Sequence, residues 1–315
     1  MTRRILLSVA AIFTLYHAAA QSERPKGVDT TFISGFAEKF LVEVFLAKDI
    51  MTLDYEPSGA PELSFISNNP PSLGAGIAIM NTLLNFSYGY GMRFMSDKSK
   101  GKTKSFDFQL HHYGRKFMAD LFIQRYKGFY LDEPRFELCP DLAVRHYGIH
   151  GSYIFNHPKF SYRAVYAHSE RQLRSSGTFL AGAGAHITEI SSDSSLVIGT
   201  RNRFRFFQAG VSGGYAHNWI IRSNWFIDLS CTAGVNIGEG IKGSGDKKIG
   251  VFPMLMARAA AGYSGRTWSA GFGFVMHVTV PALDNRASMA LNSGGLRLSF
   301  VKRFDGRRRS RGGTD

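Results

Sequence analysis

The sequence predicts an all-β fold: a closed antiparallel transmembrane β-barrel of about 12 strands, with roughly 10–14 compatible with the same pattern. Three observations predict it. Apolar and polar side chains alternate with period two along most of the chain, the signature of strands rather than helices. Many alternating stretches run to about 10–13 residues, where ordinary strands cluster near 5–6 and a tilted bilayer crossing takes about 9–11. Their connections are alternately short and long, as on the two rims of an outer-membrane barrel. After residue 20 no apolar run is long enough to cross a bilayer as a helix.

Residues 1–20, MTRRILLSVAAIFTLYHAAA, read as a cleavable signal peptide. Arg3 and Arg4 form a basic start, residues 5–16 an apolar core, and Ala18, Ala19 and Ala20 a small-residue exit before Gln21. Residues 21–48 follow as a periplasmic lead-in, and 49–304 as the barrel. Strands are expected at 50–56, 73–80, 82–93, 105–113, 116–126, 159–168, 177–188, 205–216, 219–233, 251–263, 266–278 and 294–304. An even count returns both termini to the periplasmic side, as a single-chain bacterial barrel requires. The stretch 40–46 would make the count odd and is kept in the lead-in.

The two faces are explicit in several strands. In 266–278, Trp268, Ala270, Phe272, Phe274 and Met276 share one side, and Ser269, Gly271, Gly273 and His277 the other. In 294–304, Leu298 and Phe300 oppose Arg297, Ser299 and Arg303. Within hydrocarbon a free strand edge has no water to satisfy it, so such a sheet must close. Tyr90, Phe129, Tyr130, Tyr162, Tyr166, Tyr215 and Tyr263 fall near strand ends and suit aromatic girdles. The link 127–159 contains the apolar stretch 149–155, an extra strand or a lumen plug. Residues 305–315, DGRRRSRGGTD, form a basic flexible tail.

Composition narrows the function. An aromatic content of 13% excludes a disordered chain. Two cysteines exclude a disulfide scaffold or a zinc site built on paired CxxC, and whether Cys139 and Cys231 pair stays open. The net charge of +14 falls by two when Arg3 and Arg4 leave with the leader. Export argues against nucleic acid as the partner of that charge. Outer-membrane lipids and lipopolysaccharide suit it better. The barrel-assembly machinery is expected to act during insertion by reading the aromatic-ended strand 294–304.

The block GKTKSFDFQLHHYGRKFMADLFIQRYKGFY at 101–130 resembles a stretch of the domain-of-unknown-function 4421 family. So do YIFNHPKFSYRAVYAHSERQLRSSGTFLAGAG at 153–184 and GVSGGYAHNWII at 210–221. The markers are Gly128-Phe129-Tyr130, Asn156, Lys159-Phe160-Ser161, Gln172, Ser176-Gly177 and Gly214-Tyr215, within a likeness over roughly 30–304. The resemblance implies an outer-membrane β-barrel of a Gram-negative bacterium with no established activity and no catalytic residues to carry over; the alternating pattern itself is porin-like.

Alternation assigns Asp107, Gln109, His111, Asp120, Gln124, Arg163, Arg222, Asp228, Arg258, Arg297 and Arg303 to the side away from the apolar face. In a barrel they line or fill the lumen, where charges must be paired or hydrogen-bonded. A structural salt-bridge network and a polar conduit are both open, and the solute is unknown. The rival class is a lipid hydrolase or acyl transferase of the outer membrane, with a Ser–His pair at the lipid boundary. The chain holds no GxSxG elbow, no HExxH and no GxxxxGK[ST] loop. His111 and His112 are adjacent, so they point to opposite faces of a strand. No catalytic residue, cofactor or metal is assigned.

Overall fold

The computed structural model describes residues 27–36, 40–57, 59–79, 85–194, 196, 202–241, 247–284 and 287–304. The expected signal peptide and basic tail lie outside them. The elements are β1 (Ile33–Gly35), β2 (Phe40–Pro57), β3 (Leu63–Ser67), β4 (Ser72–Ile79), β5 (Asn85–Gly91), β6 (Lys104–Tyr113), β7 (Phe117–Leu131) and β8 (Glu137–Ile154). A single helical turn, α1 (Tyr162–Val165), and β9 (Glu170–Gln172) come next. The remaining strands are β10 (Ser176–Ser191), β11 (Arg203–Ile221), β12 (Trp225–Ile241), β13 (Lys247–Ser264), β14 (Trp268–Asp284) and β15 (Ala287–Phe304).

Ten strands close an antiparallel ring in the order β2, β3, β7, β8, β10, β11, β12, β13, β14, β15, and β15 pairs back onto β2 from Phe304↔Phe40 to Ala287↔Pro57. Three further strands lie off this ring. β4 continues the line of β3 along β2, β5 pairs with β4, and β6 pairs with β7. The wall is therefore wider at the rim carrying the chain ends, the terminal rim, than at the opposite, distal rim. This is the source of the difference between a count of about twelve and a closed ring of ten.

Two of the expected elements need correction. The stretch 40–46 is the first half of β2 and pairs with β15, so it is barrel wall rather than lead-in. The link 127–159 is mostly β8, which pairs with both β7 and β10. Conversely 159–168 is no strand: it folds inward as α1 and its flanks. Cys139 is buried, while Cys231 faces outward on β12, three places from β8 in the ring, and no disulfide joins them.

Tight turns serve the terminal rim at 114–116, 222–224 and 265–267. Gly114 opens one of them, where a Cβ would collide with the Phe117 carbonyl. Arg222 and Ser223 take positive φ, 48° and 66°, in the next. At the other end of the wall, Gly128 adopts φ 89° where β7 bulges opposite β8.

The outer face carries the oil. Phe272, Leu298, Phe300, Val211, Ile227, Leu229 and Val235 are all large and exposed. At the terminal rim aromatic rings touch in series around the wall. Trp225, Tyr263, Trp268 and Phe300 form one chain of contacts, and Phe179, Tyr215, His217 and Trp219 another. Such a girdle over an apolar band is the outside of a membrane barrel.

Toward the distal rim the faces exchange polarity. On β11 Phe204 and Phe206 are buried inward while Arg203 and Arg205 face out; further down, Gln208 and Ser212 face in while Phe207 and Val211 face out. β8 changes between Val144 with Arg145 and His146 with Tyr147, and β7 between Tyr126 with Arg125 and Gln124 with Ile123. β10 changes at Glu189, and β2 and β15 have Met51, Leu53, Met289 and Leu291 inward on their distal halves. The inward apolar residues join Phe65, Tyr126, Leu142, Val144, Ile190, Phe204 and Phe206 in one cluster. Beyond the exchange the barrel is built like a water-soluble one, with oil inside.

Candidate functional site

The interior polar layer is built by inward positions of the wall strands. Asp120 on β7 meets Arg258 on β13 at 2.5 Å, with both side chains 1% exposed. These strands stand five places apart in a ring of ten, so the ion pair spans the lumen's diameter. His111 on β6 holds the other Asp120 oxygen at 2.6 Å. A buried charge is tolerable only when so paired.

Toward the distal side, Asp107 on β6 accepts from Gln124 at 2.9 Å, from Gln109 at 3.0 Å and from the Tyr126 hydroxyl. Between the two groups lies a histidine layer. His146, His186 and His277, on three different strands, hold ring centroids 5.5–6.4 Å apart, and His277 stacks on Phe122 at 5.6 Å. His146 contacts Thr188 Oγ1 at 3.0 Å and His186 contacts Gln208 Oε1 at 3.1 Å. The void among Phe122, His150, His186, Asn236 and His277 is about 10 Å³, room for about one water molecule and no solute.

The terminal side is closed by the chain between β8 and β10. Asn156 donates to Ser176 Oγ at 3.2 Å and to the Gly177 carbonyl at 2.8 Å, fixing where the segment leaves the wall. Ser161 caps α1 through the Ala164 N–H at 3.2 Å and donates to Glu170 at 2.7 Å. Gln172 Oε1 accepts from the Ser161 N–H at 3.0 Å, and its Nε2 donates to the Lys159 carbonyl at 2.5 Å. From α1, Tyr162 reaches Ser230 at 2.7 Å, and Tyr166 just after it donates to Asp228 at 2.9 Å. Tyr113 stacks on Tyr166 at 5.2 Å. β9 pairs with β1, so the N-terminal strand is tied to this plug.

His168, at the far side of the plug, sits with φ 51° and its carbonyl accepts from Arg303 at 2.9 Å. Burial, then the charges of Arg303 and Arg297, push its imidazole down to about 3. Arg303 also donates to Ser269 at 2.7 Å and lies over the Phe36 ring at 3.7 Å.

The residues singled out by alternation divide accordingly. Asp107, Gln109, Gln124 and His111, Asp120, Arg258 form the two wall groups, and Asp228 and Arg303 hold the plug. Arg163 lies in α1 at 3.3 Å from Glu170, which Arg115 also contacts. Arg297 pairs with Glu43 at 2.7 Å and lies over Phe45. Arg222 is corrected: it is exposed on the turn between β11 and β12, because β11 ends at Ile221. His146, His150, His186, His277, Glu170, Gln208 and Tyr166 were missed as site residues. Parity was the available signal for His186 and His277; for His146 and His150 it required recognising β8.

Ser–His contacts occur, as between His150 Nε2 and Ser212 at 3.0 Å. That pair is buried in the lumen, and His150 Nδ1 has no hydrogen-bonding partner to orient it as a base. Among the described residues no group of three His, Cys, Asp or Glu is arranged to hold a metal.

OmpT of Vibrio cholerae is similar at a TM-score of 0.30 and 6% identity, over 82% of this chain and 96% of that one. The Pseudomonas putida toluene transporter TodX is similar at 0.24 and 9%, over 85% and 91%. A Pseudomonas aeruginosa FadL homologue is similar at 0.28 and 9%, again over 85% and 91%. No curated protein matches the sequence. The family described as Domain of unknown function (DUF4421) matches residues 27–304, and the chain belongs to it.

Proposed function

We propose that the protein is an exported, integral outer-membrane barrel, closed in its resting form, with a structural or solute- or lipid-handling role and no catalysis. The observation that carries this reading is the exchange of polarity between the two faces of the wall. An exposed band of oil that ends at one level on several neighbouring strands fits a bilayer, and fits no soluble barrel. The closed state is supported by the Asp120–Arg258 bridge across the lumen, the apolar cluster above it and the plug below. The inward polar residues serve in this reading as an internal network that braces opposite walls. Signal-directed export and insertion by the barrel-assembly machinery complete it.

The test combines a heat-modifiability gel with planar-bilayer recording. The intact protein should need detergent, shift its mobility on boiling, and show no steady conductance. A mobility unchanged by boiling removes the membrane barrel. A steady open channel from the intact chain removes the closed lumen.

A further inference from the structure

The level at which the faces exchange polarity carries a row of bases on the outer wall. Arg125, Arg145, Glu189 and Arg205 stand directly opposite one another on β7, β8, β10 and β11. One step closer to the distal rim come Lys127 and Arg203, with Lys104 of β6 opposite Lys127. All six bases are exposed. Two of the cross-strand pairs, Arg125 with Arg145 and Lys104 with Lys127, set like charges face to face, an arrangement that weakens a sheet unless something neutralises it.

The wall supplies little neutralisation. Glu189 is shared by Arg145 and Arg205, each at 3.3 Å. Asp141, the next acid, accepts from Ser192 Oγ and the N–H groups of Asp193 and Ser194. Arg125 donates to the Tyr147 hydroxyl at 2.9 Å, and among the described residues no acid pairs with Arg125, Lys104, Lys127 or Arg203.

Directly below, the outward positions are Phe108, Ile123, Tyr147, Ile187 and Phe207. The row is eight residues above Tyr153 on β8, whose ring meets Phe117 and Phe155 at the terminal rim, and ten above Tyr215 of the aromatic girdle on β11. That is about 26–33 Å along tilted strands, the contour that crosses an apolar band about 25 Å tall. The bases thus lie where head groups meet acyl chains on the far side of the bilayer.

We propose that this row binds the phosphate groups of an anionic saccharide lipid in the leaflet at the distal rim, with its acyl chains against Ile123, Ile187 and Phe207. The inference rests on the membrane reading above. Arginine pairs bidentately with phosphate, and lysine adds point charge. Glu189 divides the row into a Lys104, Arg125, Lys127, Arg145 cluster and an Arg203, Arg205 cluster. A head group with two phosphates bridges both and gains from being held twice; a single-phosphate phospholipid fills one. The distal rim lies opposite both chain ends, which places it in the outer leaflet of a single-chain barrel.

The experiment uses the full chain purified in neutral detergent, with binding read by native mass spectrometry. The probes are bis-phosphorylated lipid A, its dephosphorylated form and phosphatidylglycerol. The intact protein should bind bis-phosphorylated lipid A at least about tenfold more tightly than either other probe, less so as salt rises. The triple variant Arg125→Gln, Arg145→Gln, Arg205→Gln should lose that preference, while Lys302→Gln at the terminal rim keeps it. Each variant must still shift on boiling; Arg145→Gln alone, expected to weaken binding several-fold, serves if the triple does not fold. Unchanged binding by the variants overturns the site. Equal binding of phosphatidylglycerol overturns the saccharide lipid as its occupant. If the intact chain is soluble without detergent, the membrane reading fails instead, whatever the lipids do.

Discussion

Asp120 and Arg258 meet where neither reaches water, and that decides what each is worth. Removing one partner of such a pair leaves an uncompensated buried charge, at about 3–5 kcal/mol, whereas replacing both with apolar groups of similar volume is often close to neutral. Arg258→Met should therefore lower the boiling-shift midpoint strongly, and Asp120→Leu with Arg258→Met should recover most of it. A single variant as stable as the parent would show that the pair braces nothing. The sequence located both residues, because alternation places each on the polar side of its strand. It could not pair them, because parity is blind to which strands face each other across a ring. Arg222 failed for a different reason: the strand expected at 219–233 runs straight through the turn 222–224 that separates β11 from β12.

The plug between β8 and β10 is the element the sequence misrepresented. Residues 159–168 look like a strand because Phe160, Tyr162, Ala164 and Tyr166 recur at every second position, but these side chains fill the lumen rather than facing outward. β8 was hidden by the converse effect. Its distal half has Leu142 and Val144 inward and Asp141 and Arg145 outward, opposite to the pattern expected of a lipid-facing strand. Several residues quoted for the family resemblance, among them Asn156, Ser161 and Gln172, build the plug's hydrogen bonds. Its pH response follows from His168. The released imidazole takes up a proton near pH 6.5, the docked one only near about 3, so docking is at full strength above 6.5 and is lost progressively as pH falls toward 3. Amide exchange across 160–172, corrected for intrinsic rates, should accelerate on the order of tenfold between pH 7.5 and 5. His168→Asn, which tolerates the positive φ, should flatten that dependence. A slope unchanged in the variant would remove His168 as its source.

At the scale of the whole molecule, one pattern explains the strand lengths, the apparent loops and the exposed oil. Strands of 15–19 residues, such as β7 and β11, exceed the roughly 9–11 needed to cross, because their distal parts stand beyond the apolar band. Those parts bury oil inward, and a search for lipid-facing alternation reads them as long polar links. The same pattern makes a prediction that separates a bilayer from water. Val211 is 62% exposed on the outer face, within the apolar band. Thr52 faces outward on β2 beyond the exchange, beside the carboxylate of Asp54. In water an arginine at an exposed surface position costs at most a few tenths of a kcal/mol. At the midplane of a bilayer it costs about 2–4 kcal/mol, falling toward zero near the interface. Urea titrations of the protein folded into vesicles should therefore show Val211→Arg destabilised by about 2 kcal/mol or more and Thr52→Arg close to the parent. Equal, small effects at both positions would mean that no hydrocarbon surrounds Val211, and the exposed band would need another occupant.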